Sequence, residues 1–198
     1  MNYNIVEDIS RSNEVNAIIY ADDSDISDFS IFSDNTEIFS IFAGVEKTLL
    51  NKTIRQPLVR LIDAEMTECM AEWCVAHVFR YHLDLDKFIK PEKKEWITCN
   101  KERLLANQVH IGILGLGTLG AATANKFKKL GFKVAGWSAN EKRISGVKSL
   151  VGRDGLRKIL STSDYLILLL PLTEQTKTII NSASLKFVKN GAVLINAG

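Results

Sequence analysis

Cysteine is scarce: Cys69, Cys74 and Cys99 are the only three, and their spacing fits neither a CxxC zinc site nor a disulfide framework. Reduced, packed thiols are the expected state, and no metal site is expected. Long apolar runs are missing too. No stretch reaches the roughly 18 consecutive apolar residues of a membrane span. The start, Met-Asn-Tyr-Asn-Ile-Val-Glu-Asp, has neither a basic head nor an apolar run. No membrane partner and a cytoplasmic location are therefore expected. A basic stripe with interleaved aromatics is also lacking, which removes nucleic acid from the expected partners. Internal repeats and low-complexity tracts are absent, so an array of stacked units is excluded.

What is present is an ordinary globular balance over 198 residues, 46% apolar and 24% charged, enough for one sizeable core or two small ones. The net charge of +2 hides an asymmetry: residues 1–50 hold ten Asp/Glu against two Lys/Arg, and the remainder thirteen against twenty-three. The basic C-terminal part suits an anionic ligand, although scattered solvating lysines such as Lys128, Lys129, Lys186 and Lys189 explain most of it equally well.

Along the chain, the first part reads as short strands between polar punctuation: Ala17–Tyr20, an Asp/Ser-rich loop over 21–30, then Glu37–Phe42. From Asp63, a plausible N-cap, apolar positions Met66, Met70, Trp73, Cys74, His77, Val78, Tyr81 and Leu85 recur at three- and four-residue steps, which predicts a long amphipathic helix. Pro91 and the charged run Glu92–Glu95 should end it and form a linker. After Gln108 the pattern becomes apolar runs alternating with helical segments, the mark of parallel strands buried on both faces. Strands are predicted at Val109–Leu114, Lys133–Trp137, Tyr165–Leu170 and Ala192–Ile195, and helices at Thr118–Leu130, Asp154–Ser161 and Ser182–Val188.

The strongest chemical signal is Val-His-Ile-Gly-Ile-Leu-Gly-Leu-Gly-Thr-Leu-Gly, residues 109–120, a GxGxxG between a predicted strand and a predicted helix. Gly115 permits a tight turn, Gly117 lets the backbone approach a pyrophosphate, and Gly120 allows helix and strand to pack closely. The helix N-terminus at Thr118 and Leu119 then offers N–H groups and partial positive charge to phosphates. At the end of the second strand, Gly136-Trp137-Ser138-Ala139-Asn140 lacks the acid that would hold a ribose 2′-hydroxyl. Ser138 and the nearby Lys142 and Arg143 could instead hold a 2′-phosphate, so NADP(H) is favoured over NAD(H), with Glu141 acting against it. Leu170-Pro171-Leu172-Thr173 ends a buried strand in a proline-fixed turn, either as a wall of the ligand crevice or simply as a strand end with Thr173 capping the next helix.

Together, Ile-Phe-Ala-Gly-Val-Glu (41–46), Pro-Leu-Val-Arg-Leu-Ile-Asp (57–63), Ala71-Glu72-Trp73 and Arg80-Tyr81-His82, the glycine motif at 112–120, Gly-Trp-Ser (136–138), Leu-Pro-Leu-Thr (170–173) and Leu-Ile-Asn-Ala-Gly (194–198) resemble the D-isomer-specific 2-hydroxyacid dehydrogenases, nearest to their glyoxylate- and hydroxypyruvate-reducing branch. The resemblance implies an α/β fold: an incomplete Rossmann domain, a doubly wound parallel sheet, beside a partial flavodoxin-like substrate domain. The implied divisions are 1–62 for the partial substrate domain, 63–107 for the connecting helix and linker, and 108–198 for the N-terminal part of the NAD(P)-binding domain. It further implies reduction of a small 2-oxo acid to a 2-hydroxy acid by hydride transfer. Ala43, Gly44 and Val45 match the loop whose backbone N–H groups hold the substrate carboxylate. Gly115, Gly117, Thr118, Leu119 and Gly120 match the pyrophosphate turn, Ser138 the 2′-phosphate contact, and Leu170 and Pro171 the wall beside the cofactor. Ala139 stands where NADP-using members often carry arginine.

The family's catalytic arginine, glutamate and histidine fall beyond Gly198, so both ends are expected to be truncated relative to a complete member, and little turnover is expected. His77, His82 and His110 are expected to be packed or surface groups rather than replacements. The resemblance also implies a homodimer for full-length relatives, with Trp73 and Tyr81 of the long helix facing the partner, and an exposed sheet edge that invites association of the isolated chain. A non-catalytic module binding a dinucleotide or a partner chain is the alternative. A methyltransferase would want an acid near Trp137-Ser138, which is not there.

Overall fold

A computed structural model describes residues 4–5, 9–89 and 104–198; the expected linker at Pro91–Glu95, and Cys99, lie outside the described residues. The chain forms two compact units, Met1–Asp63 and Ala64–Gly198.

The first unit contains β1 (Ala17–Tyr20), β2 (Glu37–Ser40), α1 (Glu46–Leu49) and β3 (Leu58–Val59), the strands parallel in the order β1-β2-β3. β2 stops short of Phe42 because the Ser40 hydroxyl accepts the Phe42 N–H at 3.2 Å and turns the chain. Alternation along the strands sends Ile18, Tyr20 and Ile38 into a core closed by Phe29 and Phe32 of the β1–β2 connection. The buried Gln56 amide donates to the Phe29 and Phe32 carbonyls at 3.0 and 3.2 Å, which pins this loop cover in place. On the other face Ile19, Phe39 and Val59 stand side by side across the three strands and remain exposed.

The second unit holds α2 (Ala64–His82), α3 (Asp86–Ile89), β4 (His110–Leu114), α4 (Thr118–Lys129), β5 (Lys133–Trp137), β6 (Lys148–Leu150), α5 (Gly152–Thr162), β7 (Tyr165–Leu168), α6 (Ser182–Leu185) and β8 (Val193–Asn196). Its five strands are all parallel in the order β6-β5-β4-β7-β8, a Rossmann-type doubly wound sheet. Alternation in β4 decides the two cores. Ile111 and Ile113 join Cys74 and Val78 of α2 and Ala124 and Phe127 of α4 on one face. Leu114 joins Ile159 and Leu160 of α5 and Leu166 of β7 on the other.

The expected strands and the helices α2, α4 and α5 are present with ends shifted by a few residues, whereas α6 is a single turn. The two-residue β3, the three-residue β6 and the four-residue α1 were not anticipated, being too short to show a period. The long helix does not run on to Leu85. It ends where Asp84 takes a left-handed conformation (φ 52°), with Leu85 N–H bonded to Arg80 O at 2.9 Å and Asp84 N–H to Tyr81 O at 3.3 Å. That termination precedes Pro91, so proline is not what stops it. Cys74 is buried in the α2 stripe as expected, but Cys69 is exposed on the opposite side. Among the described residues no helix is long and apolar enough to cross a membrane.

Candidate functional site

In the second sheet the chain steps from β4 out to β5 and β6 on one side, then crosses back to build β7 and β8 on the other, so the strand order reverses at β4. A crevice forms at such a reversal, outside the carboxyl ends of the strands. The glycine turn sits there. Gly115 N–H bonds Trp137 O at 2.8 Å, and Leu169 N–H bonds Leu114 O at 2.8 Å, so the turn is held by both neighbouring strands.

The three glycines do different things. Gly115 has φ +106°, and a Cβ there would lie 2.4 Å from the Leu169 carbonyl oxygen. A Cβ on Gly120 would lie 1.8 Å from Gly115 O, so only glycine lets the first turn of α4 settle onto the bend. Gly117 differs: nothing lies within 4 Å of its missing Cβ. It is the N-cap of α4, and no side chain caps the helix. The N–H groups of Thr118, Leu119 and Gly120 have no partner further back in the helix, and Gly117 and Thr118 are exposed. Leu119 is half-buried, packed against the core, so what it offers a ligand is main chain.

At the end of β5 there is no carboxylate. Ser138 is buried; its N–H bonds Leu150 O at 3.2 Å and its hydroxyl donates to Asn140 O at 2.7 Å. That proton is already committed, so the serine must rotate to donate to a phosphate. Lys142 is held by its N–H to Ser149 Oγ at 3.0 Å and keeps its side chain exposed. β7 brings Leu170 beside the turn: its N lies 3.1 Å from the missing Gly115 Cβ. Leu170 packs into the α5-side core while Pro171 is exposed. Thr173 accepts the Thr176 N–H, but it closes a turn over 173–177 rather than capping a helix; α6 is capped by Asn181, whose side chain accepts from Ala183 and Ser184.

Ala43, Gly44 and Val45 lie in the first unit, after the carboxyl end of β2. Arg60, which follows β3, donates from Nη1 to Ala43 O at 3.3 Å, and the Glu46 carboxylate lies against Gly44. Arg60 received no role from the sequence although it stands in the 57–63 motif, because the strand it follows, β3, is too short to be legible. Gly112 was also passed over. A Cβ there would lie 2.2 Å from Ser163 Oγ, so this strand glycine lets the end of α5 approach the sheet.

The histidines stand elsewhere. His110 opens β4, at the other end of the strand from the glycine turn. His77 stacks on Trp73 (3.8 Å between ring centroids), and His82 packs edge-on to Phe132 at 5.6 Å. Burial pushes the Cys74 thiol up to about 11, which leaves it inert near neutral pH. Burial also pushes the Asp164 carboxyl up, but Lys189 Nζ at 2.6 Å and the His110 N–H at 2.8 Å outweigh it and hold that group below the usual carboxylate range.

Comparison with known proteins agrees with this geometry. The chain is 34% identical over 168 residues to glyoxylate/hydroxypyruvate reductase A of Yersinia enterocolitica, covering 80% of this chain and 53% of that protein. It spans about half the length of the curated relatives it matches. A probable 2-hydroxyacid dehydrogenase of Rhizobium etli, solved with NADP, superposes with a TM-score of 0.83 at 30% identity, covering 94% of this chain and 60% of that one. The NADPH-dependent glyoxylate/hydroxypyruvate reductase of Sinorhizobium meliloti, solved with NADP and sulfate, gives 0.74 at 36% identity, covering 86% and 55%. Residues 74–198 match the family described as D-isomer specific 2-hydroxyacid dehydrogenase, NAD binding domain. A glycine turn at the switch point of a parallel sheet and a family match across most of the second unit lead to one conclusion: the chain belongs to the D-isomer specific 2-hydroxyacid dehydrogenases.

Proposed function

We propose that this chain carries the cofactor cradle and the substrate loop of an NADPH-dependent reductase that converts a small 2-oxo acid, of the glyoxylate or hydroxypyruvate kind, to its 2-hydroxy acid. In this reading residues 1–62 contribute to the substrate domain, 63–107 connect, and 108–198 bind the dinucleotide in the cytoplasm. The observation that carries it is the open space at Gly117 beside an uncapped helix start, while Gly115 and Gly120 are closed around the bend. The cofactor diphosphate would lie against the N–H groups of Gly117, Thr118, Leu119 and Gly120. Leu170 and Pro171 would wall the crevice. Ser138 and Lys142 would receive the 2′-phosphate, which supports NADP(H) over NAD(H) since no acid opposes it at the strand end. Ala43, Gly44 and Val45 would hold the substrate carboxylate by main chain. When bound, the nicotinamide supplies the hydride.

Proton delivery is where this chain falls short. None of its histidines lies at the carboxyl ends of the second unit's strands, and a missing general acid costs about 10²–10⁴ in rate. The chain therefore binds NADPH more tightly than NADH and oxidises it slowly, if at all, with glyoxylate. Fluorescence titration with both cofactors, followed by an NADPH oxidation assay, tests this. No change in NADPH fluorescence removes the cradle reading, and turnover equal to that of a full-length relative removes the claim of slow chemistry. The same histidine placement favours, as a second reading, a module that binds a dinucleotide and performs no chemistry; zero oxidation with intact binding selects it. Exposed Trp73 and Tyr81 on α2 suit a second copy of the chain, and sedimentation would reveal the dimer.

A further inference from the structure

Three adjacent parallel strands each begin with a basic residue: His110 in β4, Lys133 in β5 and Lys148 in β6. The register sets Lys133 beside His110 and Lys148 beside Ala135. Alternation puts His110 on the face of Leu114, Lys133 on the face of Ala135 and Trp137, and Lys148 on the face of Leu150. Those four apolar residues all belong to the core that α5 covers, so the three basic side chains share the α5 side of the sheet. α5 contributes Lys158, and Thr162 and Ser163 at its end complete a cleft of about 360 Å³. That is the size of a small-ligand pocket, about 300–1,000 Å³.

The three lysines of this cleft have no internal counter-charge. No carboxylate lines it, and Lys133, Lys148 and Lys158 form no ion pair among the described residues. Asp164, next to Ser163, takes Lys189, the His110 N–H and, at 3.7 Å, the His110 ring, and so leaves the three lysines unanswered. The C-terminal carbonyls of α5 do not account for the lysines either. Thr162 Oγ1 donates to Lys158 O at 2.8 Å and Ser163 Oγ to Ile159 O at 2.7 Å, so hydroxyls already serve that end. Like charges gathered on one side of a sheet repel, and a bound anion turns that repulsion into attraction. The glycine turn lies at the other end of the strands, roughly 15 Å away along β4, so the cleft is no part of the dinucleotide cradle.

We propose that this amino-end cleft is a second anion site, taking a small phosphate polyanion such as a diphosphate group between Lys133, Lys148 and Lys158. Each ammonium is a point charge with three donors, suited to phosphate oxygens that need no fixed fork geometry. The site does not depend on the cofactor reading.

Amide NMR of the whole chain titrated with inorganic pyrophosphate tests it. The expected result is saturable shifts at Ala135, Thr162 and Ser163, separate from any at Gly117–Gly120 and weakened by salt. The triple variant K133Q/K148Q/K158Q loses at least about tenfold in affinity at the cleft, with the rest of its amide spectrum unchanged. K158R, which keeps the charge, retains binding. Shifts confined to the glycine turn, an absence of shifts, or cleft shifts that survive the triple variant each overturn the proposal.

Discussion

The three parallel strands of the first unit are packed on one face only, by loop phenylalanines, whereas the five strands of the second are packed on both, by α2 and α4 on one side and α5 on the other. Both units have apolar residues on both faces of their strands: Ile18 and Ile19 alternate in β1 much as Ile113 and Leu114 do in β4. Parallel sheets usually need both faces covered. The first unit therefore shows what a parallel layer looks like with one layer of its sandwich bare, and the second shows the precision that full coverage allows. Between two packed faces, a turn such as 115–120 can be held by backbone contacts from both neighbouring strands, and that rigidity is what main-chain recognition of a phosphate needs.

The comparison can be broken most forcefully by deleting one fully buried aromatic ring from each unit. Phe127→Ala should destabilise the second unit by about 4 kcal/mol in chemical denaturation, because a close-packed two-sided core cannot collapse around the cavity. Phe29→Ala should cost less, about 3 kcal/mol, since the loop cover of the first unit can settle inward. Equal costs, or the reverse order, would mean that the two cores are packed alike.

Next in size is the contrast between two glycines of one turn. Gly120→Ala forces a Cβ onto the Gly115 carbonyl and should cost about 2–3 kcal/mol in thermal or denaturant unfolding. Gly117→Ala places its methyl in open space, so stability should stay within about 0.5 kcal/mol. NADPH affinity should nonetheless fall about tenfold, because that space is the proposed diphosphate seat. A Gly117→Ala protein that bound NADPH normally would show that the gap is not the seat.

A smaller effect concerns pH. The Asp164 carboxyl is held below its unfolded value, so its contribution is fully present above the ordinary carboxylate pKa of about 3.9 and is lost as pH falls through the lower folded value. Stability of the second unit should decline below about pH 4 for this reason, by less than about 1 kcal/mol after solvent screening. Asp164→Asn should flatten that part of the pH profile measured by equilibrium unfolding; an unchanged slope would assign the acid sensitivity elsewhere.

The smallest change tests the bare face. Phe39→Lys in the centre of the exposed Ile19, Phe39, Val59 row should alter stability by no more than about 0.5 kcal/mol while reducing self-association in light scattering. A loss of 2 kcal/mol or more would show that the face is covered in solution.

Much of the second unit is legible in the sequence. Lys133–Trp137 coincides with β5, and α4 agrees to one residue at its end, because an alternating five-residue run or an amphipathic stretch of about three turns repeats its signal. The short elements β3, β6 and α1 are not, since two or three residues are too few for a strand's alternation and four too few for a helical period. The end of the long helix was misjudged because Asp84 rather than glycine adopts the left-handed cap. At the site, the glycine spacing and the missing acid at Trp137-Ser138 were visible in the sequence. That the Ser138 hydroxyl is already spent on Asn140 was not, nor was Arg60 bonded to Ala43.

By itself, the sequence determined the local grammar: where strands alternate, where a helix begins, and that three glycines recur at the spacing of a phosphate turn. These follow from φ/ψ preferences and side-chain periodicity over a few neighbouring residues. Only the tertiary structure decided that Gly120 is closed while Gly117 is open, and that one row of apolar residues is left bare. It alone brought Lys133, Lys148 and Lys158 to one cleft. Each of these depends on which distant strand pairs with which, and in what register, and that choice emerges only when the whole sheet is assembled and packed.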